Sequence, residues 1–178
     1  TNLPSYYNYK IGTTLINNTD LRSEWNCLYY HRPIIPGDPN SDKWEMLPWD
    51  LDLTWESKFH IRSENVWENW QNVFRYDDAE TDFENRSREV WDLLCSSGEG
   101  AKVVEEMKRF LDGDGITRVV EANQAMWDYH PRKRKKGIWY RNNPKLPSSK
   151  RNWEGLVEYM KNFVSPGGYG AGRLINEK

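Results

Sequence analysis

Residues 43–55, Lys43-Trp44-Glu45-Met46-Leu47-Pro48-Trp49-Asp50-Leu51-Asp52-Leu53-Thr54-Trp55, decide how this chain is read. Trp44 and Met46 alternate as on a half-buried strand. Pro48 stops that strand, because proline has no N–H for the ladder. A polar elbow follows, and alternation puts Asp50 and Asp52 on the same side of an extended segment. Two carboxylates so placed repel unless a cation or a base lies between them. Hard oxygen ligands of this kind suit Mg²⁺ or Mn²⁺, commonly shared with substrate phosphates. A solvated turn with two surface acids is the competing reading.

Upstream, residues 26–31 (Asn-Cys-Leu-Tyr-Tyr-His) read as a second short strand, and residues 32–42, with Pro33, Pro36, Gly37 and Pro39, as a turn-rich insert. Residues 4–18 carry Tyr6, Tyr7, Tyr9, Ile11, Leu15 and Ile16 in a loose helical pattern. Downstream, residues 56–80 are polar with scattered aromatics and take no assignment. Asp82 is expected to cap a helix bearing Phe83, Val90, Trp91 and Leu94. A second helix is expected over 101–111, and a third after Asp114 with Ile116, Val119, Val120 and Met126. A basic loop follows at 131–137, and then a last helix capped by Asn152. The glycine-rich run 165–172 (Ser-Pro-Gly-Gly-Tyr-Gly-Ala-Gly) is expected to end regular structure. Strands near the front with helices segregated behind them make an α+β chain.

Composition narrows the class. Leu, Ile, Val and Phe make up just under a fifth of the 178 residues, a share that invites disorder. Against that, the net charge is only -2, and ten tryptophans and ten tyrosines stand beside the five phenylalanines. Each aromatic buries roughly 150–250 Å², enough to build a core where aliphatics are scarce. The tryptophans are therefore expected mainly in the core, although Trp67, Trp70 and Trp139 sit in polar surroundings where they could stack on sugars. With 25 basic and 27 acidic residues no global field draws nucleic acid or an anionic membrane. No apolar run approaches the roughly 20 residues of a membrane span. Cys27 and Cys95 make neither a disulfide framework nor a zinc site and are expected as buried thiols. The chain opens on Thr1 in mid-pattern, without a signal-peptide profile, and is expected to be a piece of a longer protein.

The densest polar constellation is Asp20, Asn26, Asp50 and Asp52. An Asp followed shortly by an Asn, and then by an Asp after a later strand, is the order protein kinases use. One carboxylate positions or deprotonates the acceptor hydroxyl. An amide oxygen and a second carboxylate hold the metal that neutralises the phosphates. Asp20 and Asn26 are six positions apart, where the kinase template has five.

The run Leu3-Pro-Ser-Tyr-Tyr, Asn18-Thr-Asp20, Trp25-Asn26-Cys-Leu-Tyr-Tyr, followed by the Trp44 to Trp55 element with its Pro-Trp-Asp-Leu-Asp, resembles the spore-coat CotH kinase-like family. Later pieces, Glu84-Asn-Arg86-Ser-Arg88-Glu with Trp91-Asp-Leu-Leu, then Trp127-Asp-Tyr, then Gly155 to Val164, resemble the family's secreted bacterial branch. The resemblance implies a mainly helical C-lobe of an atypical protein-kinase-like fold, with a short β-hairpin at the metal site. It implies a single partial domain over 1–178, with a catalytic and metal segment at 1–55 and a helical segment at 82–164. It implies phosphate transfer from ATP to a protein Ser or Thr, with Mg²⁺ or Mn²⁺. Carried over by position, Asp20 is the active-site Asp, Asn26 and Asp50 are metal ligands, and Asp52 is a second acid at the metal. It also implies a secreted or cell-surface setting. No glycine-rich strand-turn-strand and no strand lysine precede Asp20, so the ATP clamp is expected from a lobe outside this segment, and the segment alone is expected to turn over little ATP. The rival expectation is a catalytically silent cell-surface or spore-surface module that binds protein or glycan.

Weaker signals take plainer readings. Asp112-Gly-Asp-Gly115 resembles a calcium loop, but the fifth ligand position is Ile116, so a turn between helices is expected. Arg132 to Lys136 is read as a solvated basic loop. His31, His60 and His130 lack metal-ligand spacing. Asn17-Asn-Thr19 and Asn85-Arg-Ser87 fit the glycosylation acceptor pattern.

Overall fold

A computed structural model of the chain describes residues 1–18, 27–49, 51, 54–55, 72–113, 119–127, 129–130, 135–136 and 147–176. Helix α1 (Leu3–Leu15) lies at the centre of the core. Asn2 caps it by accepting from the Ser5 N–H, and Pro4 sits in its first turn, where its missing N–H costs nothing. Tyr7, Ile11 and Leu15 recur every fourth residue and, with Tyr6, bury one stripe. That stripe meets Met46, Cys95, Val164, Ala171 and Leu174 from four later elements. Each such side chain contributes roughly 1.5–3 kcal/mol, against about 0–1 kcal/mol for an exposed ion pair. The α1 stripe therefore outweighs surface pairs such as Arg86–Glu89 and Arg88–Glu84.

Strands β1 (Cys27–His31) and β2 (Trp44–Pro48) form the expected antiparallel hairpin. A 3-10 turn (Asn72–Arg75) leads into α2 (Asp77–Val90). That helix begins before Asp82, which lies inside it and not at its cap. Three acids, Asp77, Asp78 and Glu80, occupy the first turn and favour the positive end of the helix dipole. A π-helical turn (Trp91–Ser96) then joins α3 (Glu99–Asp112). Gly113, at φ +68, ends α3 where a turn was expected. Helix α4 (Val119–Trp127) follows. The two-residue strands β3 (Tyr129–His130) and β4 (Lys135–Lys136) pair antiparallel, so Lys135 and Lys136 belong to a small hairpin and not to a plain loop.

Asn152 caps α5 (Trp153–Val164) as expected, accepting from the Gly155 N–H at 2.8 Å. The run 165–172 does not end regular structure: α6 (Tyr169–Asn176) grows out of it. An added Cβ at Gly168 would sit 2.1 Å from the Asn162 carbonyl oxygen, and one at Gly170 would sit 2.0 Å from that of Leu15. Glycine is present there for close approach of backbones. Helices α3 and α5 are stapled by Asp112, which accepts from Trp153 Nε1 at 2.7 Å and Lys108 Nζ at 2.5 Å, and by Lys161–Glu105 at 3.1 Å. The result is an α+β fold, mostly helical, with its longer sheet near the front. Among the described residues no helix is long and apolar enough to cross a membrane.

Cys95 is fully buried in the π-helical turn, as expected, and burial pushes its thiol from 9.0 up to about 11. The thiolate is the reactive form. Iodoacetamide at pH 8 is therefore expected to spare Cys95 in the folded chain and label it in urea, read by peptide mass spectrometry. The thiol ionises first in the unfolded chain, so its contribution to stability should fall as pH rises from about 9 to 11. Native labelling of Cys95 at the unfolded rate would contradict this. The Cys27 side chain lies outside the described side chains.

Candidate functional site

Helix α1 ends in a Schellman motif. Ile16 is its C-cap, and Asn17 turns left-handed at φ +46, a conformation Asn tolerates. The Asn17 N–H reaches the Thr14 carbonyl at 3.0 Å and the Asn18 N–H reaches that of Thr13 at 2.9 Å. The Ile16 carbonyl accepts instead from the Trp55 N–H, at 2.7 Å. A junction thus forms between the end of α1 and the far side of the polar elbow. Of the two acceptors that fit the glycosylation pattern, Asn17 is 2 % exposed and closed in the folded chain, whereas Asn85 is exposed on α2 with Ser87 buried beneath it.

A second junction closes the other side. The hairpin register pairs Cys27 with Pro48, Tyr29 with Met46 and His31 with Trp44. Met46 seats the hairpin in the core, and the Asn2 N–H donates to the Trp44 carbonyl at 2.9 Å. Glu45 accepts from Asn2 Nδ2 at 3.2 Å and from Arg32 at 3.4 Å, and Arg32 also holds Asp38 at 3.2 Å. These bonds lock the 32–42 insert to the start of α1.

Asp20, Asn26, Asp50 and Asp52 themselves lie outside the described residues. What the described residues supply is the frame. The chain from Ile16 to Cys27 carries Asp20 and Asn26, and the chain from Pro48 to Trp55 carries Asp50 and Asp52. Both segments start and finish at the same two junctions, Ile16–Trp55 and Cys27–Pro48. Sequence reasoning missed Ile16, Asn17 and Trp55 as parts of this frame. Only the left-handed tolerance of an Asn after a helical pattern hinted at it.

The ligand set Asn26, Asp50 and Asp52, two carboxylates and one amide, is the chemistry that fits a hard divalent cation. Among the described residues no group of three or more His, Cys, Asp or Glu side chains could hold a metal ion. A separate cavity of about 200 Å³ lies between α1, α2 and α6, lined in part by Thr14, Phe83, Ser87 and Leu174. Beside it Arg88 is engaged by Glu84 and Asn85. Burial, and then the charge of Asp82, raises the Tyr7 hydroxyl above its ordinary value.

The tryptophans divide. Trp55 and Trp91 pack on the core, whereas Trp44 and Trp49 are 48 % and 60 % exposed, against the expectation of core placement. Trp67, Trp70 and Trp139 lie outside the described residues.

No curated protein and no solved structure matches the chain. The family model described as CotH kinase protein matches residues 1–166, from α1 through the hairpin and both junctions to the end of α5. With that match over nearly its whole length, the chain belongs to the CotH kinase protein family.

Proposed function

We propose that this chain is the catalytic and metal-binding lobe of a kinase of the CotH type, which transfers phosphate from ATP to a Ser or Thr of a protein. The observation that carries the reading is the double junction: family membership assigns kinase-type chemistry, and the two acid-bearing segments are strung between shared anchors. In this reading Asp20 orients the acceptor hydroxyl and takes its proton. Asn26, Asp50 and Asp52 would hold Mg²⁺ or Mn²⁺, which supplies neutralising charge to the ATP phosphates when bound. Residues 1–55 form the catalytic and metal segment, and the helices of 82–164 brace it as a kinase-like C-lobe. Chain outside these residues supplies the ATP clamp.

The test is phosphate transfer by the full-length gene product with labelled ATP and Mn²⁺. Asp20→Asn should lower the rate about 10²–10⁴-fold, the usual weight of a positioned base. Undiminished transfer by that variant would overturn the assignment. A second reading, a silent surface module for protein or glycan, is favoured by the exposure of Trp44, Trp49, Tyr30 and Ile34 on the hairpin and insert. It predicts no transfer in any variant.

A further inference from the structure

We infer that the cavity between α1, α2 and α6 binds a small monocarboxylate, an anion carried on a short aliphatic group. The inference is independent of the kinase reading, and the cavity draws on none of the four candidate catalytic and metal residues. A cavity of about 150 Å³ takes a six-carbon ring, so this one, at about 200 Å³, suits about seven or eight heavy atoms. A nucleotide is too large for that space. Arg88 of α2 and Arg173 of α6 both line it, and Glu84 is the one carboxylate in the lining among the described residues. That leaves an excess of one positive charge. Arg88 uses one N–H of each Nη, on Asn85 at 3.2 Å and on Glu84 at 3.0 Å. A guanidinium carries five N–H donors in a planar fork, so Arg88 keeps three. Arg173 is steadied by Tyr169, one turn earlier on α6: its Nη1 donates to that hydroxyl at 3.5 Å, and its guanidinium carbon lies 6.0 Å from the ring centroid. A carboxylate matches such forks with parallel hydrogen bonds.

Thr14 is the second, independent sign. It lines the cavity and is 9 % exposed. Thr13 beside it returns its hydroxyl to the backbone, 2.9 Å from the Tyr9 carbonyl oxygen and 3.0 Å from that of Lys10. The Thr14 hydroxyl makes no hydrogen bond among the described residues. A buried hydroxyl so placed carries a desolvation cost that a ligand oxygen would remove. Phe83, Leu174 and Ile175 supply the apolar part of the lining. An inorganic phosphate would satisfy the guanidiniums and leave those three side chains uncovered, whereas a short branched tail covers them. A carboxylate beside an aliphatic group occurs both in a free acid and at the C-terminus of a peptide, and the probes below separate the two sources.

The experiment is a saturation-transfer NMR titration of the full-length gene product with isovalerate, beside a thermal melt. Isovalerate should bind saturably at millimolar concentration and raise Tm, because it bridges three helices in the folded state alone. Isovaleramide has the shape without the charge, and inorganic phosphate has the charge without the tail; each should bind about tenfold more weakly or worse. An acetylated tripeptide ending in leucine presents the same end group on a peptide. Tighter binding than isovalerate makes a protein C-terminus the source, weaker binding makes it a free acid, and both results keep the site. Arg173→Gln should weaken isovalerate about tenfold. Arg88→Gln, at a side chain 63 % exposed, should weaken it about fivefold and serves if the first variant does not fold. Thr14→Val removes the hydroxyl with little change of shape and should weaken it about threefold. Lys102→Gln, which removes an exposed charge on α3, should leave binding unchanged. Phosphate or isovaleramide binding as tightly as isovalerate would overturn the inference. So would unchanged binding in both arginine variants, or no saturable binding by the wild-type protein.

Discussion

Millimolar Mn²⁺ or Mg²⁺ is expected to raise the melting temperature of the wild-type protein, and Asp50→Asn is expected to erase that rise and to abolish the proposed phosphate transfer with it. Asp20, Asp50 and Asp52 are carried on two segments tied at both ends. Like charges crowded in a partly desolvated place are hard to ionise together. A divalent cation bound among them would relieve that repulsion in the folded state alone. At a hundredfold excess over its Kd it stabilises by about 2.7 kcal/mol. In a chain of this size each kcal/mol moves Tm by roughly 2–4 °C, so the rise should be about 5–11 °C. Asn26→Ala should shrink the rise, because an amide oxygen contributes less than a carboxylate. With chelator, Asp50→Asn should melt no lower than wild type, since one of the repelling charges is gone. Equal melting temperatures for wild type and Asp50→Asn, with metal and with chelator, would sink the metal site and favour the surface-module reading.

Gly170→Ala is expected to cost about 3 kcal/mol or more, a fall in Tm of roughly 6–12 °C, and to loosen the Ile16–Trp55 junction at the same time. The new methyl would lie 2.0 Å from the Leu15 carbonyl oxygen and 2.6 Å from the Phe163 ring. The first obstacle is backbone at the end of α1 and cannot rotate away. The second is a buried ring enclosed by Trp55, Tyr159 and Tyr169. Alanine is otherwise a better helix former than glycine by about 1 kcal/mol, so helix propensity alone predicts the opposite sign. Thermal or urea unfolding of the variant decides between them: a stabilised Gly170→Ala would mean that α6 does not press on α1 as described. Gly12, around which an added Cβ meets nothing within 4 Å, gives the matched control, and Gly12→Ala should be neutral or stabilising.

Local physics made much of the front of the chain legible. The spacing of Tyr6, Tyr7, Ile11 and Leu15 suits α1, because a helix gathers adjacent and every-fourth residues on one stripe, whereas a strand would turn Tyr6 away from the other three. The alternation ending at Pro48 is enough for β2, and the aromatic run beside the turn-rich insert for its partner. Asn152 declared its cap through the chemistry of its side chain. The candidate ligands were readable as residue types, and family membership over residues 1–166 agrees with the motifs that suggested it. The frame that carries them was not readable, because it depends on contacts between positions far apart in sequence.

Those contacts are what the tertiary structure decided. Nothing near residue 16 in the sequence says that its carbonyl will accept from residue 55, and nothing in Asp-Leu-Thr-Trp requires a left-handed tryptophan. The start of α2 at Asp77 was hidden because its first turns are polar apart from Ala79 and Phe83, and a helix with so narrow an apolar stripe is held by its neighbours. Helix α6 was hidden for the opposite reason: its glycines read as breakers, since each weakens an isolated helix. Packed against Leu15 and Phe163 they become the residues that let three helices approach, and the burial of Ala171 and Leu174 outweighs their local cost. The sequence by itself determined the periodic elements and the chemistry of the candidate ligands, because those depend on neighbours along the chain. The double junction and the glycine-rich helix were decided only in three dimensions, because each depends on what the rest of the fold presses against it.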